Sequence, residues 1–291
     1  MRIAIASGKG GTGKTTIAVN LAALLAKRER TPVTYADCDV EEPNGHIFLA
    51  PWIDTSEAVT VPVPVIDVEA CTLCGACSSF CQFKALATIS DRVMVFDELC
   101  HGCGGCSLVC GEKAISERQR EVGTLETGAT VVAESGAVVD FIHGRLRVKE
   151  VQAVPVVKAV KRRLPEKGIA VIDAPPGTSC PMVEAVRGAD FVLLVTEPTP
   201  FGLHDLELAV DTVRELGIDA AVLLNQSDIG DDRVRAYCEK EGIEIVAEIP
   251  HSREIAEAYS RGKLLAGRIE SFTLQLNEMI PRILDMAASR V

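Results

Sequence analysis

The sequence predicts an α/β fold in which a doubly wound, mostly parallel sheet carries a smaller inserted domain. Apolar strands alternate with helices through the C-terminal half of the chain, the pattern of a parallel sheet covered on both faces. A glycine-rich turn joins the first strand to the first helix. Roughly 130 residues separate the second and third core strands, far more than a crossover connection needs, which indicates an insertion.

Apolar runs and helical periodicity define the elements of the parent fold. Core strands are predicted at residues 2–6, 33–36, 169–172, 191–196, 220–224 and 244–249. Helices are predicted at residues 15–28, 151–163, 204–215, 231–241, 252–260 and 270–288. Residues 130–148 alternate apolar and polar side chains around Ser135 and Gly136, which predicts a hairpin leading back to the core. Pro281 is expected to kink or restart the last helix.

Composition narrows the class of protein. The chain of 291 residues has a net charge of −11, which argues against a nucleic-acid partner. Its hydrophobic content of 47%, with 4% aromatic residues, suits an aliphatic α/β core. No apolar run is as long as a membrane span, and the first strand directly follows Met1, so we expect no membrane segment and no signal peptide. Eleven cysteines indicate a reducing compartment, and we expect a cytoplasmic protein.

The first turn of the chain has the spacing of a phosphate-binding loop. Gly8 is followed, after four residues, by Gly13, Lys14 and Thr15. Glycines allow backbone N–H groups to face phosphate oxygens, and a helix N-terminus favours negative charge. Lys14 is expected to reach the β- and γ-phosphates and Thr15 to ligate Mg²⁺. An ordinary glycine turn is the alternative, but the order strand, loop, helix favours a nucleotide site.

Eight of the cysteines form two runs with the same spacing, CxxCxxCxxxC, displaced by 29 residues. This is the spacing of bacterial two-cluster ferredoxins, in which the fourth cysteine of each run ligates the other cluster. One [4Fe–4S] cluster is therefore assigned to Cys71, Cys74, Cys77 and Cys110. The other is assigned to Cys81, Cys100, Cys103 and Cys106.

A pair of zinc sites is the alternative, since CxxC pairs also bind Zn²⁺. Zinc does not account for the third cysteine and the x₃ spacing, each of which occurs twice. Gln82 and Gly111 stand where ferredoxins usually carry proline, which leaves turn geometry and redox potential open. We expect the inserted α+β ferredoxin domain to span residues 66–118, and the parent domain to comprise residues 1–65 and 119–291.

Five features together carry a family resemblance. They are SGKGGTGKTT at 7–16, DCD at 37–39, the two cysteine runs, DAPPGTSCP at 173–181 and TEPTPFGLHDL at 196–206. With them the chain resembles the MinD/Mrp/nitrogenase iron-protein superfamily of P-loop ATPases, and more narrowly MinD-type members with an inserted two-cluster ferredoxin domain. The resemblance covers essentially the whole chain. It implies ATP hydrolysis by a homodimer, with ATP or ADP, Mg²⁺ and two [4Fe–4S] clusters as cofactors.

The resemblance also implies roles for individual residues. Lys9 is expected to reach the partner's phosphates across an ATP-bound dimer, where developing charge needs a positive group. Asp39 is expected to position the attacking water, Asp173 to hold Mg²⁺ through water, and Gly177 to offer its N–H to the γ-phosphate. Asp37 is expected to be a structural acid or to contact the groups that ligate Mg²⁺. For each of the three acids, capping of the local backbone is the alternative role. The phosphate-binding residues are Gly8, Lys9, Gly10, Gly11, Thr12, Gly13, Lys14, Thr15 and Thr16.

The base side of the site is expected after the later strands. Asn225 resembles the family's adenine-contacting residue, with loop capping as the alternative, and Pro250 begins the other loop beside the base. Cys180 stands seven residues after Asp173, as a cluster-ligating cysteine does in the nitrogenase iron protein. No second matching cysteine lies outside the two runs, so the sequence does not support a cluster shared between subunits.

Placement of the insert suggests what the two parts do together. The insert begins after Asp39 and ends before Asp173, beside segments expected to respond to the γ-phosphate. The leading hypothesis is that ATP-dependent dimerisation and hydrolysis gate electron transfer through the clusters to a redox partner. The alternative is an ATPase that assembles or carries iron–sulfur clusters or metallocofactors. A Min- or Par-type positioning ATPase is less favoured, because the C-terminal MAASRV is not a basic amphipathic membrane helix.

Overall fold

A computed structural model describes residues 1–29, 31–132 and 135–289. The strands in these residues are β1 Arg2–Ala6, β2 Val33–Asp37, β3 Trp52–Ile66, β4 Leu86–Thr88, β5 Val93–Val95, β6 Ile115–Val131, β7 Val138–Leu146, β8 Ile169–Asp173, β9 Phe191–Thr196, β10 Ala220–Asn225 and β11 Ile245–Ile249. Nine of them form one sheet in the order β11-β10-β9-β1-β8-β2-β7-β6-β3, and β4 pairs with β5 separately.

Helices connect these strands. They are α1 Lys14–Arg28, α2 Gly45–Leu49, α3 Ala76–Phe80, α4 Gly105–Leu108, α5 Val154–Arg162, α6 Cys180–Val186, α7 Pro200–Glu215, α8 Arg233–Glu241, α9 Arg253–Ser260 and α10 Glu270–Ala288, with a 3₁₀ turn at Asp97–Leu99. None of the helices described is both long and apolar enough to cross a lipid bilayer.

The centre of the sheet is parallel, as the sequence predicts. Every neighbouring pair from β11 to β7 runs parallel. Successive side chains of a strand point to opposite faces, so β1 sends Ile3 and Ile5 into one hydrophobic cluster, and Ala4 and Ala6 into the other. Both faces are thus buried, and the carboxyl ends of the parallel strands meet at one edge of the sheet.

Beyond β7 the sheet turns antiparallel. β6 pairs antiparallel with β7, which is the hairpin predicted for residues 130–148, although Ala133 and Glu134 in its turn lie outside the described residues. β3 pairs antiparallel with β6 along its whole length and forms the edge of the sheet. The sequence analysis missed β3. Pro62 and Pro64 lie in it, and an edge strand tolerates proline because one side of its backbone needs no hydrogen-bond partner.

The cysteine runs lie at the far end of the β3–β6 ribbon. Ile66 pairs with Ile115, and the segment between them contains α3, β4, β5, the 3₁₀ turn and α4. This segment, with the ribbon ends, is called the cysteine module below and corresponds to residues 66–118. Since β3 and β6 run from the main sheet directly into the module, paired strands connect the two parts.

Of the kink or restart expected at Pro281, the structure excludes the restart. Pro281 lies inside α10, which continues from Glu270 to Ala288 without a restart. A proline in a helix leaves the carbonyl four residues earlier without its N–H donor. Here Arg28 Nη1 donates to that carbonyl, the oxygen of Asn277, at 3.2 Å. The replacement donor comes from α1, which is why no break in the helix is needed.

Candidate functional site

The phosphate loop lies between β1 and α1, as predicted. Gly11 and Gly13 have φ angles of 82° and 94°, which favour glycine. Gly8 is needed for a different reason, since a Cβ there would lie 2.0 Å from the carbonyl oxygen of Asp205. The Lys14 side chain is buried at the start of α1, and this burial lowers its pKa, while the nearby acids oppose the shift.

A cavity of about 500 Å³ opens over this loop. The predicted residues that line it are Gly10, Gly11, Gly13, Lys14, Thr15, Thr16, Asp39, Asn225 and Pro250. The predicted residues outside the lining are Gly8, Lys9, Thr12, Asp173 and Gly177. The cavity therefore joins the phosphate loop to both loops expected beside the base.

Three acids and one phenol form the floor of the site. The parallel register sets Asp37 of β2 beside Asp173 of β8, and both carboxyl groups are completely buried. The Tyr35 hydroxyl lies 2.9 Å from Asp173 Oδ2 and 3.3 Å from Asp37 Oδ2. Asp37 also accepts hydrogen bonds from the N–H groups of Asp39 and Gly45. Asp37 thus anchors the segment after β2, in agreement with a structural role.

The acids differ in their surroundings. Burial, followed by the nearby Asp173 carboxylate, raises the pKa of Asp37 well above its ordinary value. Burial also raises the pKa of Asp173, against the opposing effects of the Thr15 hydroxyl, the Lys14 ammonium and the Tyr35 hydroxyl. Asp39 borders the cavity, and burial together with Asp173 raises its pKa to about 6. Such a cluster favours a bound cation, because positive charge relieves the repulsion among the acids.

The donor set fits Mg²⁺ with a nucleotide phosphate. Asp173 Oδ1 is buried and has no hydrogen-bond partner among the described residues. Thr15 lies at the start of α1, where its hydroxyl and the Lys14 ammonium both influence Asp173. Carboxylate and hydroxyl oxygens are the hard ligands that Mg²⁺ takes alongside phosphates and water. The residues present therefore match the metal implied by the loop.

Lys9 does not face the cavity in this single chain. Its Nζ lies 3.2 Å from Glu197 Oε2, and Glu197 Oε1 accepts a hydrogen bond from Gln226 Nε2. Gln226 lines the cavity and has a φ angle of 50°, an uncommon conformation for a residue other than glycine. A lysine that contacts another subunit's phosphates must first leave Glu197.

Gly177 has another hydrogen-bond partner in this conformation, and its γ-phosphate contact stays a prediction. Its N–H, expected to face the γ-phosphate, donates to the carbonyl oxygen of Ser7 at 3.0 Å. The φ angle of 86° at Gly177 gives the turn after β8 this geometry, and Pro176 borders the cavity in its place. In this conformation the Gly177 N–H is therefore engaged by the phosphate-loop strand, and the expected contact is not available.

The base side matches the expectation in position. Asn225 Nδ2 donates to the carbonyl oxygen of Thr12 at 2.9 Å, which ties the end of β10 to the phosphate loop. A Cβ at Gly13 would lie 2.7 Å from that Asn225 nitrogen, so the two residues approach closely. This contact is the capping alternative for Asn225, while its place in the lining keeps the base-contacting role open.

Several residues that line the nucleotide cavity were not predicted from the sequence. These are Glu42, Asn44, Gln226, His251, Ser252 and Tyr259. Two of them directly follow the predicted Asn225 and Pro250 in sequence, so they could have been predicted as their neighbours. Tyr259 could not have been predicted in this way, because it comes from α9, where its ring lies 5.2 Å from that of Phe48 on α2.

The cysteine module contains two further cavities. One, of about 20 Å³, is bordered by Cys71, Cys74, Cys77 and Cys110. The other, of about 60 Å³, is bordered by Cys81, Cys100, Cys103 and Cys106. Each cavity therefore brings together three cysteines of one run and the fourth of the other. Within the described residues, no three His, Cys, Asp or Glu side chains converge as ligands of a single ion would.

Backbone geometry repeats in the two halves of the module. Cys81 Sγ accepts a hydrogen bond from the N–H of Ala85, and Cys110 Sγ from that of Ala114, each at 3.3 Å. Gly75 and Gly104, which precede α3 and α4, have φ angles of 76° and 70°. Burial raises the pKa of the thiols of Cys77, Cys100 and Cys106. Burial thus favours the neutral thiols over the thiolates at these three positions.

The three remaining cysteines lie elsewhere. Cys38 and Cys238 are buried, and burial raises the pKa of both thiols, so they are inert members of the core. Cys180 is exposed at the start of α6 and borders neither cysteine cavity.

The fold and the loop define a class of protein. A parallel α/β sheet, a glycine loop that opens a helix, a buried lysine and a floor of acids make this chain a P-loop nucleotide-binding protein. Residues 3–265 match the model of the CobQ/CobB/MinD/ParA nucleotide binding domain. The chain belongs to this family and is a MinD/ParA-like P-loop ATPase, which confirms the predicted superfamily and the predicted enzyme class.

Individual relatives agree with this assignment. The chain is 29% identical to the uncharacterized protein MJ0579 of Methanocaldococcus jannaschii over 90% of each chain. It is 31% identical to the uncharacterized protein MJ0578 of the same organism over 78% of each. The septum site-determining protein MinD of Pyrococcus horikoshii, solved with Mg-ADP, has the same fold, with a TM-score of 0.59, 16% identity and coverage of 100% of this chain and 98% of that one.

Proposed function

We propose that this ATPase carries two [4Fe–4S] clusters and uses ATP binding and hydrolysis, as a homodimer, to gate electron transfer to a redox protein. The observation that carries the proposal is the exchange of cysteines between the two cavities. Cys110 borders the cavity of the first run, and Cys81 borders the cavity of the second. Bacterial two-cluster ferredoxins use this crossed set, and paired zinc sites do not require it.

At the nucleotide site each residue has a proposed task. Lys14 and the loop N–H groups bind phosphate, and Thr15 and Asp173 hold Mg²⁺, the latter through water. Asp39 orients the attacking water from the edge of the cavity. Lys9, released from Glu197, stabilises phosphate charge in the other subunit.

At the cysteine module the eight thiolates hold the clusters, which supply one-electron couples when bound. The N–H donors to Cys81 and Cys110 stabilise negative charge on sulfur. The parent domain contacts the backbone beside the second cavity, because Gln152 Nε2 donates to the carbonyl oxygens of Cys100 at 2.9 Å and Glu98 at 3.2 Å. Gln152 is itself buried.

Short contacts connect that glutamine with the acids of the nucleotide site. Val40 follows Asp39, and its carbonyl oxygen accepts a hydrogen bond from the N–H of Leu146 at 2.7 Å. Four residues after Leu146, Glu150 accepts from the N–H of Gln152 and pairs with the buried Arg120 of β6. A movement of the segment after β2 would therefore reach the second cysteine cavity through a few bonded groups, which is the physical basis of the proposed gating.

The test begins with anaerobic purification and counting of iron and sulfide. Two [4Fe–4S] clusters require about eight of each per chain. The protein is reduced with dithionite, freed of excess dithionite by gel filtration and mixed with oxidised cytochrome c, a high-potential one-electron acceptor, and cluster reoxidation is followed with and without Mg-ATP. We expect the rate to depend on nucleotide in the wild type and to lose that dependence in Gln152→Ala. Stoichiometric zinc would overturn the cluster assignment, and equal rates in the wild type would overturn the gating.

A specific observation keeps the assembly alternative open. Cys74 and Cys103, one in each set, are exposed. An exposed thiolate ligand is accessible to an incoming thiol, as transfer of a cluster would require. A carrier would deliver iron and sulfide to an apo-ferredoxin in an ATP-dependent manner and end depleted. An electron-transfer protein would retain its iron through many turnovers.

A further inference from the structure

A buried phenol under the nucleotide site has no task in the proposed function. Tyr35 is completely buried in β2, where phenylalanine would fill the same space without a polar group. Its hydroxyl lies between Asp173 Oδ2 and Asp37 Oδ2, at 2.9 Å and 3.3 Å. A buried hydroxyl with two carboxylate neighbours is costly to retain unless its hydrogen bonds matter.

The surrounding chain fixes the position of this hydroxyl. The Tyr35 ring stacks on that of Phe141, with centroids 5.8 Å apart and planes at 22°. Gly45 packs against the hydroxyl end of the phenol, where a Cβ would lie 2.2 Å from the Tyr35 oxygen. The N–H of Gly45 also donates to Asp37 Oδ2 at 3.0 Å. The phenol therefore has little freedom to move away from the two acids.

Geometry assigns the direction of the hydrogen bonds. A phenol has one proton to donate, and the shorter contact is with Asp173 Oδ2. That donation occupies one oxygen of Asp173 and leaves Oδ1, which has no partner among the described residues, to accept from a Mg²⁺-bound water. Without the phenol, the nearby Thr15 hydroxyl is the other side-chain group that acts on the Asp173 carboxylate, and no other hydrogen bond to Oδ2 is described.

We propose that Tyr35 is a positioning residue for the metal: its hydroxyl holds the Asp173 carboxylate in the orientation that binds Mg²⁺. The proposal rests on the proposed role of Asp173. It also explains the second contact, because Asp37 anchors the segment that leads to Asp39 and the cavity-lining Glu42. The phenol thus connects the metal-binding acid with the loop that carries the acid for the attacking water.

The first test is the Mg²⁺ dependence of ATP hydrolysis in Tyr35→Phe, which keeps the ring and removes the hydroxyl. Removing a group that orients a metal ligand typically costs 10–100-fold in metal affinity. We expect the half-saturating Mg²⁺ concentration to rise at least about tenfold, and kcat at saturating Mg²⁺ to stay within about threefold. Tyr237→Phe, which removes a phenol hydroxyl from α8, is the matched control and leaves both values unchanged. An unchanged Mg²⁺ dependence in Tyr35→Phe would overturn the proposal.

A direct measurement of metal binding distinguishes the role proposed for Tyr35 from the Mg²⁺-binding role proposed for Asp173. Mn²⁺ is titrated into the ADP complex and followed by electron paramagnetic resonance. Asp173→Asn weakens binding if Asp173 holds the metal, and Tyr35→Phe then adds no further loss in that background. If Asp173→Asn binds Mn²⁺ as tightly as the wild type does, Asp173 does not hold the metal. If Asp173→Asn binds Mn²⁺ weakly but Tyr35→Phe binds it with wild-type affinity, only the role of Tyr35 is overturned.

A measurement on the unaltered fold covers the case in which Tyr35→Phe does not fold. The chain has three tyrosines, so incorporation of 3-fluorotyrosine gives three fluorine signals. We expect the Tyr35 signal to shift when Mg²⁺ is added to the ADP complex, while the Tyr237 signal stays in place. A Tyr35 signal that ignores Mg²⁺ would contradict the proposal.

Discussion

The nucleotide site and the cysteine module belong to one chain but are built in different ways. At the nucleotide site, Asp37 and Asp173 sit at the ends of buried core strands and are themselves completely buried. In the module, the local hydrophobic cluster contains only Cys77, Leu86 and Cys106 as buried residues. Burial of apolar surface therefore preforms the first site, whereas the second has little apolar burial of its own.

Backbone details of the module point the same way. Its two helices have five and four residues. Lys84 and Lys113, which occupy equivalent places after the fourth cysteine of each run, both have positive φ angles, of 55° and 53°. Such conformations cost free energy and persist where other interactions hold them. Under the proposed function, metal–thiolate bonds supply these interactions, because they form only in the folded state.

The largest expected effect separates the two regions by activity. Lys14→Ala removes the buried ammonium from the phosphate loop, where charge develops during phosphoryl transfer. We expect ATP turnover to fall on the order of 10²–10³-fold. Iron and sulfide content, measured on the same anaerobic preparation, should be unchanged. A parallel loss of iron would show that the nucleotide site helps to form the module.

Removal of iron tests whether the cysteine module depends on metal while the nucleotide site does not. After iron is stripped from the protein anaerobically, we expect amide protection to disappear between residues 66 and 118, since the module's own core is small. Protection of β1 and β8 should remain, and the affinity for ADP should change by less than about threefold. Hydrogen exchange read by mass spectrometry measures both regions at once. Loss of protection in β1 would mean that the two parts fold as one unit.

A matched pair of cysteine variants tests the crossed set within the module. Cys110→Ser removes a thiol from the first cavity, and we expect roughly half of the iron to be lost, with the remaining cluster held by the second set. Cys180→Ser removes an exposed thiol that borders neither cavity and should retain all of the iron. If Cys110→Ser keeps a full complement of iron and sulfide, the exchange of cysteines between runs is wrong.

The sequence predicts the buried, repetitive part of the molecule well, for a physical reason. Core strands such as β1 and β9 are continuous apolar runs, and the glycine loop needs particular residues at fixed spacing. The edge strand β3 was missed because its first part is exposed and does not alternate apolar with polar residues, and because two prolines lie in its second part, so pairing with β6 decides that it is a strand. Edge pairing of this kind has no local signal.

Side-chain partners that are distant in sequence account for the other differences. In the sequence, Tyr35 looks like an ordinary core residue. Its hydroxyl stands out only because it contacts Asp173, 138 residues away. The helix does not restart at Pro281, where the carbonyl that loses its donor accepts from Arg28, 249 residues away. Tertiary contacts decide each of these outcomes, and no periodicity records them.

The acids of the nucleotide site give a pH prediction that the module does not share. Burial raises the pKa of Asp39 to about 6, and orienting a water requires its carboxylate form. Below pH 6 the protonated form dominates, so kcat/KM for ATP should fall about tenfold for each further unit of pH. Asp39→Asn should abolish this decline along with most of the activity. A profile that stays flat down to pH 5 would exclude Asp39 from that role.

A milder variant tests the cause of this pKa and has the smallest expected effect. Glu41 is exposed, and its charge contributes to the raised pKa of Asp39, although less than burial and Asp173 do. Glu41→Gln should therefore move the decline to lower pH, by less than about 0.5 because solvent screens an exposed charge. The sign is fixed, since removing a negative neighbour makes the carboxylate easier to form. A move to higher pH would mean that the titrating group is not Asp39.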